Sequence, residues 1–228
     1  MNGSALIETR AMTRVLPGPV PVTLVRDIDV TVGAGEFIAV TGPSGSGKSS
    51  LLYLLGLLDR PTEGTVWLKG IDTETLTEDG RSGVRLARIG FVFQFHFLLP
   101  EFTIIENVLI PMRRLGGCPE GEMRERAAAI LDDLDLAENL ERRPHQLSGG
   151  QLQRAAVARA LANDPPILLA DEPTGNLDTK NADRVTDIFQ DLAHSGERAV
   201  VMVTHNPDLA ARADRRIHVV DGRVAEDL

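Results

Sequence analysis

Residues 35–58 read GEFIAVTGPSGSGKSSLLYLLGLL, and the order of residue types in this stretch decides the fold. GEFIAVTG is a short apolar run of strand length, and SSLLYLLGLL is an apolar helix. Between them GPSGSGKS, Gly42–Ser49, fits G-x-x-x-x-G-K-[ST]. Glycines let such a loop curl so that successive backbone N–H groups face one chain of phosphates. The candidate phosphate-cradling residues are Gly42, Pro43, Ser44, Gly45, Ser46, Gly47, Lys48, Ser49 and Ser50. Pro43 has no N–H and takes the outer rim. Lys48 reaches the outer phosphates, and the Ser49 hydroxyl suits Mg²⁺. The bland alternative is a glycine-rich turn with an incidental lysine. The chain has only three lysines, Lys48, Lys69 and Lys180, which weighs against it.

Working outward, the segments on either side differ in pattern. ALIETRAMTRVL and VTLVRDIDVTV, separated by PGPVP, read as β structure, as do TEGTVWLKG and IGFVFQ. From Phe95 to Asn163 the patterns are helical: IIENVLIPMRRL, GEMRERAAAILDDL and QLQRAAVARALAN. Then PPILLADEP and RAVVMVTHNP read as buried strands. NADRVTDIFQDLAH and PDLAARA read as helices, and RRIHVVDGRV as a closing hairpin. Continuous apolar strands alternating with helices imply an α/β fold with a mainly parallel core sheet. An antiparallel β subdomain at the start and an inserted helical subdomain are additions to it. The chain is expected to be one domain, 1–228, with a core of 1–94 and 164–228 and a helical part of 95–163.

Chemistry concentrates where strands end. ILLADE, Ile167–Glu172, closes a central strand with two acids. Asp171 is placed to hold Mg²⁺ through water, and Glu172 to orient an attacking water; phosphoryl transfer needs positioning more than a strong base. Gln94 ends IGFVFQ, and its amide can bind Mg²⁺ or water. His205 follows VVMVT and can reach the outermost phosphate. The expected catalytic residues are therefore Lys48, Gln94, Glu172 and His205, and the metal-binding ones Ser49, Gln94 and Asp171. His96, His145, His194 and His218 receive no catalytic role. A second anion-facing element is LSGGQLQR, Leu147–Arg154, where a serine and two glycines open a helix and leave unpaired N–H donors.

The ordered set GPSGSGKS, Gln94, LSGGQ, ILLADE, GNLD and His205 resembles the ATPase subunits of ABC transporters over essentially the whole chain. LSGGQ is the discriminating element, since many phosphate-loop ATPases share the other main motifs. The resemblance implies ATP and Mg²⁺ as cofactors and a homodimer stacked head to tail. Ser148, Gly149, Gly150 and Gln151 of one copy would cap the γ-phosphate held by Lys48 of the other, and Asp178 in GNLD would cross the interface. It also implies transmembrane permease subunits docking on residues 93–112, FQFHFLLPEFTIIENVLIPM, and peripheral attachment at the cytoplasmic face of the inner membrane. LLGLLDRPTEGTV, DEPTGNLD and KNAD resemble the ATPases of lipoprotein-releasing systems most, with macrolide-exporter and cell-division ATPases close behind. The signature continues QLQR where those ATPases carry a more charged form. Members of the family usually stack an aromatic on adenine; here no Phe, Tyr or Trp precedes Phe37, and Val15 or Leu16 takes that place.

Composition removes other classes. With 43% hydrophobic and 25% charged residues in 228, the chain is an ordinary globular protein able to bury a large core. A net charge of -9 disfavours nonspecific binding to nucleic acid or an anionic membrane. The single cysteine, Cys118, allows no disulfide within the chain, which fits a reducing, cytosolic compartment. MNGSALIETRAMTRVL lacks the apolar core of a leader peptide, and the apolar runs are too short to span a bilayer. DNA-repair ATPases of this class need a long coiled-coil insertion and ribosome-acting ones a second ATPase unit; neither is in the sequence. The remaining alternatives are efflux of macrolides or peptides, and ATP-driven signalling to cell-wall hydrolases.

Overall fold

Strand residues 167–171 show how the layers arise. Ile167 and Leu169 join one buried cluster, Leu168 and Ala170 the other. Successive side chains on a strand point to opposite faces, so a strand that is apolar throughout must be covered on both. The computed structural model describes residues 5–228 and shows this arrangement. The first four residues of the stretch read as lacking a leader's apolar core lie outside it.

The chain begins with β1 (Ile7–Leu16), β2 (Val22–Ile28) and β3 (Thr31–Val32), then β4 (Phe37–Thr41) and α1 (Lys48–Leu55). β5 (Glu63–Leu68), β6 (Ile71–Asp72), α2 (Glu78–Arg88) and β7 (Ile89–Phe93) follow. Between β7 and the next strand lie α3 (Ile104–Leu115), α4 (Glu120–Asp133) and α5 (Gly149–Leu161). The rest is β8 (Ile167–Asp171), α6 (Thr179–His194), β9 (Ala199–Val203), α7 (Pro207–Ala210), β10 (Arg215–Val220) and β11 (Arg223–Asp227).

Two sheets result. β2-β1-β5-β6, with β3 also paired to β1, forms an antiparallel sheet. The larger sheet has the order β11-β10-β4-β9-β8-β7, parallel from β10 to β7, with β11 antiparallel at its edge. Helix α1 and the antiparallel sheet share a core with one face of the large sheet, while α3, α4, α5 and α6 cover the other. The expected α/β architecture is what forms, and the hairpin expected at the carboxyl end is β10–β11.

Three local features differ from the expectations. VTLVRDIDVTV is not one strand: it is interrupted at Asp29 and Val30 into β2 and β3, and within β2 Asp27 takes a left-handed φ of 53°. The long apolar helix stops at Leu55, with Gly56 as its cap rather than continuing to Leu58. Helix α2 carries no apolar stripe; its one buried residue is Arg81, whose guanidinium donates to the carbonyls of Thr73 and Asp59 and pairs with Glu74.

Candidate nucleotide site

The large sheet gathers the candidate residues by topology. Val40, Val203, Asp171 and Phe93 lie in register across β4, β9, β8 and β7. The residues just beyond them are the phosphate loop after β4, His205 after β9, Glu172 after β8 and Gln94 after β7. All four chain segments leave the carboxyl ends of adjacent parallel strands, where open α/β sheets bind ligands.

The loop needs glycine at two points. Gly42 has φ 142°, and a Cβ there would lie 2.0 Å from the Val219 carbonyl oxygen. Gly47 has φ 101°, and its Cβ would lie 2.3 Å from the Leu24 oxygen. Gly47 precedes the first residue of α1, so the helix opens directly out of the loop. Lys48 is folded onto the loop, its Nζ donating to the carbonyls of Gly42 at 3.0 Å and Pro43 at 2.8 Å. Ser46 is 5% exposed, and its buried Oγ has no hydrogen-bond partner. A cradle without side chains, an unpartnered hydroxyl and an ammonium on weak neutral acceptors together fit a phosphate chain.

Ser49 and Asp171 meet across α1 and β8, the Ser49 Oγ donating to Asp171 Oδ1 at 3.0 Å. They share a cleft of about 270 Å³ with Tyr53, Phe93, Gln94 and Glu172. Burial, then the charge and hydrogen bonding of Asp171, push the Tyr53 phenol up from its usual pKa. Among the described residues no group of three or more His, Cys, Asp or Glu could hold a metal by itself. One carboxylate with a serine hydroxyl and an amide oxygen is instead a hard, incomplete oxygen set, which suits Mg²⁺ completed by substrate phosphates.

Glu172 has φ 47°, a left-handed conformation uncommon for a long side chain. Its N–H donates to the Val203 carbonyl and its own carbonyl accepts from Gly175, both at 3.0 Å, which pins the turn. The carboxylate then lies 3.3 Å from His205 Nδ1. The Gln94 side-chain amide donates to Asn176 Oδ1 at 3.2 Å.

The second element stands at the start of α5. Ser148 is the cap: its Oγ accepts from the Gln151 N–H at 3.4 Å, while the Gln151 side chain accepts from the Ser148 N–H at 2.9 Å. Ser148 and Gly149 are exposed. Gly150 is buried, and a Cβ there would lie 2.0 Å from Asn181 Oδ1. Asn181 in turn donates to Asp178, the cap of α6, through its N–H at 2.9 Å and its side-chain amide at 2.8 Å. These bonds hold the Asp178 carboxyl below its ordinary pKa. The structure thus places LSGG and GNLD side by side in one chain. The candidate phosphate loop leaves β4, with β9 and β8 lying between it and the edge strand β7 on which α5 packs.

Four contributors escaped the sequence reading. Tyr53 stands one helical turn beyond Ser49, and that spacing was the available signal. Asn176 lies within GNLD, and Asn181 follows three residues after Asp178. Gln153, 3% exposed, donates to the Phe93 carbonyl at 3.0 Å and so ties α5 to the segment carrying Gln94; no pattern marks it. Phe95 and Phe97 are each 62% exposed beside this cleft. A larger groove of about 850 Å³ runs along β7 and is lined by Leu58, Phe91, Ile110, Pro111, Arg114 and Leu115 among others. Val15 and Leu16, expected where the family's base-stacking aromatic would stand, are half-buried and 39% exposed respectively. No helix among the described residues is long and apolar enough to cross a membrane.

Known proteins share this arrangement. The ABC transporter family model matches residues 25–175. The chain is similar to a lipoprotein-releasing system ATP-binding protein LolD of Anaeromyxobacter dehalogenans, 51% identical over 92% of this chain and 88% of the relative. A relative of the same description from Aquifex aeolicus is 48% identical over 90% and 91%. Among solved structures, a dimeric ATP-binding cassette in a post-hydrolysis state bound to ADP and Pi superposes with a TM-score of 0.89, 38% identity and 97% coverage of both chains.

Proposed function

This chain belongs to the ABC transporter family, and from that premise we propose that it is the ATP-hydrolysing subunit powering a membrane permease for lipoprotein release from the inner membrane. The observation that carries the ATPase reading is the convergence of four adjacent parallel strand ends on one crevice beside the phosphate loop. The lipoprotein-release reading is supported by relatives of that description, near half identical over nine-tenths of the chain. That similarity favours it over efflux or cell-wall signalling.

In this reading the N–H groups from Ser44 to Ser50 cradle the phosphates, and Lys48 leaves the carbonyls of Gly42 and Pro43 to bind them. Bound Mg²⁺ would neutralise charge developing between the β- and γ-phosphates, held by Ser49, Gln94 and Asp171. Glu172 orients the attacking water, and His205 steadies Glu172 and meets the γ-phosphate. The exposed helix start at Ser148 and Gly149, with Gly150 and Gln151, caps the γ-phosphate bound by a second copy, and Asp178 crosses between the copies. The γ-phosphate then closes the dimer by contacts that ADP lacks, which a ligand-driven switch requires. The permease docks on residues 93–112, where Phe95 and Phe97 are exposed. The protein attaches to the cytoplasmic face of the membrane only through that permease.

Co-purification of tagged protein from gently solubilised native membranes tests this. The expected result is a permease with few spans and a large extracytoplasmic domain, recovered with lipoproteins. Recovery with an efflux adaptor or cell-wall hydrolases would replace the lipoprotein reading, and recovery with ribosomes or DNA would overturn the transporter reading.

A further inference from the structure

Gln94 is the first residue past β7, and side chains from elsewhere in the chain hold the segment it opens. β7 ends at Phe93, in register with Asp171. The Phe93 carbonyl and the Gln94 N–H belong to one planar peptide unit. That carbonyl accepts from Gln153 Nε2 of α5 at 3.0 Å, and Gln153 is only 3% exposed. Downstream, the carbonyls of His96 and Phe97 accept from the two terminal nitrogens of Arg159, on the same helix, at 2.8 Å and 2.7 Å. The planar guanidinium fork fixes the direction of both oxygens at once. Both ends of the segment Phe93–Phe97 therefore hang from α5. The Gln94 side chain lies against Gly175, where a Cβ would come to 2.9 Å from its amide nitrogen. It lines the cleft shared with Ser49, Asp171 and Glu172.

We propose that Gln153 and Arg159 are positioning residues that fasten the Phe93–Phe97 segment to α5 and so set where the Gln94 amide meets the cleft. This rests on the reading of that cleft as a Mg²⁺–ATP site with Gln94 at the cation or its water. Gln153 and Arg159 act through Gln94 alone. Because α5 opens at the exposed Ser148, a displacement of that helix reaches Gln94 through two hydrogen-bonded anchors. Groups that orient a metal-binding side chain contribute about tenfold or more to metal affinity or activity. The phosphate loop after β4 keeps its own contacts in their absence, so the loss falls on turnover and not on nucleotide binding.

The test measures ATP turnover and ATP affinity for two variants. Gln153→Met keeps the length and drops the donor; Arg159→Lys keeps the charge and loses the fork. The expected result is a kcat lower by about tenfold in each, with the Kd for ATP in EDTA unchanged. Each change is then combined with Gln94→Ala. Residues that act through one another are non-additive. The double variants should therefore turn over no more slowly than Gln94→Ala alone. A merely structural role would instead lower Tm and multiply the Gln94→Ala loss in full. Wild-type kcat in both single variants, full additivity in the doubles, or loss of cooperative melting in both variants would overturn the proposal. Where only Gln153→Met fails to fold, Arg159→Lys decides it from the other end of the segment. Gln94→Ala turning over at the wild-type rate would overturn the reading of Gln94 in the site instead, so the two failures are distinguishable.

Discussion

At the residue scale, backbone geometry sets the site before any side chain acts. Gly47→Ala forces a Cβ to 2.3 Å from the Leu24 carbonyl at a φ of 101°. A residue held in such a conformation costs about 1–3 kcal/mol before the clash is counted. Loss of ATP binding and a lower Tm are expected, checked by calorimetry. Glu172→Gln makes the opposite kind of change: shape is kept, and the carboxylate beside His205 is lost. ATP binding should persist while turnover falls about 10²-fold or more, measured by phosphate release. Base recognition is the third case. Leu16 is part-exposed and aliphatic, so Leu16→Tyr should tighten ATP by about 1 kcal/mol, near the low end of an aromatic–base stack, read from Kd. These residues were legible in the sequence because phosphate chemistry demands particular types at fixed spacing. Tyr53 and Gln153 were not, because their roles depend on which neighbour the fold presents.

At the element scale, side chains fasten segments that carry no regular structure. Asn107 on α3 is fully buried; its Oδ1 accepts from the Leu99 N–H at 2.8 Å, and its Nδ2 donates to the Leu99 carbonyl at 3.1 Å and the Thr103 carbonyl at 2.9 Å. Arg159 on α5 donates to the carbonyls of His96 at 2.8 Å and Phe97 at 2.7 Å. The exposed Phe95 and Phe97 therefore stand on a segment held to α3 and α5. Asn107→Ala strands buried polar groups at about 1–3 kcal/mol each. Urea denaturation should show the loss, with faster hydrogen exchange from residue 98 to residue 103. Most elements could be read from sequence, because strands buried on both faces leave unbroken apolar runs. α2 could not: Gly80 and Gly83 interrupt it, and the residue it buries is Arg81, so periodicity of apolar residues has nothing to detect. The break between β2 and β3 was likewise invisible: at Asp29 and Val30 side-chain bonds replace the ladder, Asp29 Oδ1 accepting from the Ala11 N–H at 2.7 Å and the Val30 N–H donating to Thr9 Oγ1 at 2.8 Å.

At the scale of the whole molecule, one chain carries two candidate phosphate-facing elements that leave different parts of the fold. The loop after β4 has its own cradle, lysine and neighbouring acids. The start of α5 presents exposed Ser148 and Gly149, and its buried Gly150 packs on the Asn181 that binds Asp178. On the proposed reading, two copies stacked head to tail would give each element a use; the cassette that superposes on this chain is itself described as dimeric. The sequence suggested this division through LSGGQ alone; that LSGG and GNLD form one continuous surface emerges only when α5 packs on α6. The most direct test is the mass of Glu172→Gln in solution by light scattering, with and without ATP. The account predicts the 24.7 kDa chain mass without nucleotide and about twice that with ATP, with the increase abolished by adding Ser148→Arg. A mass that stays at one chain under saturating ATP, or a dimer indifferent to both ATP and Ser148→Arg, would contradict it.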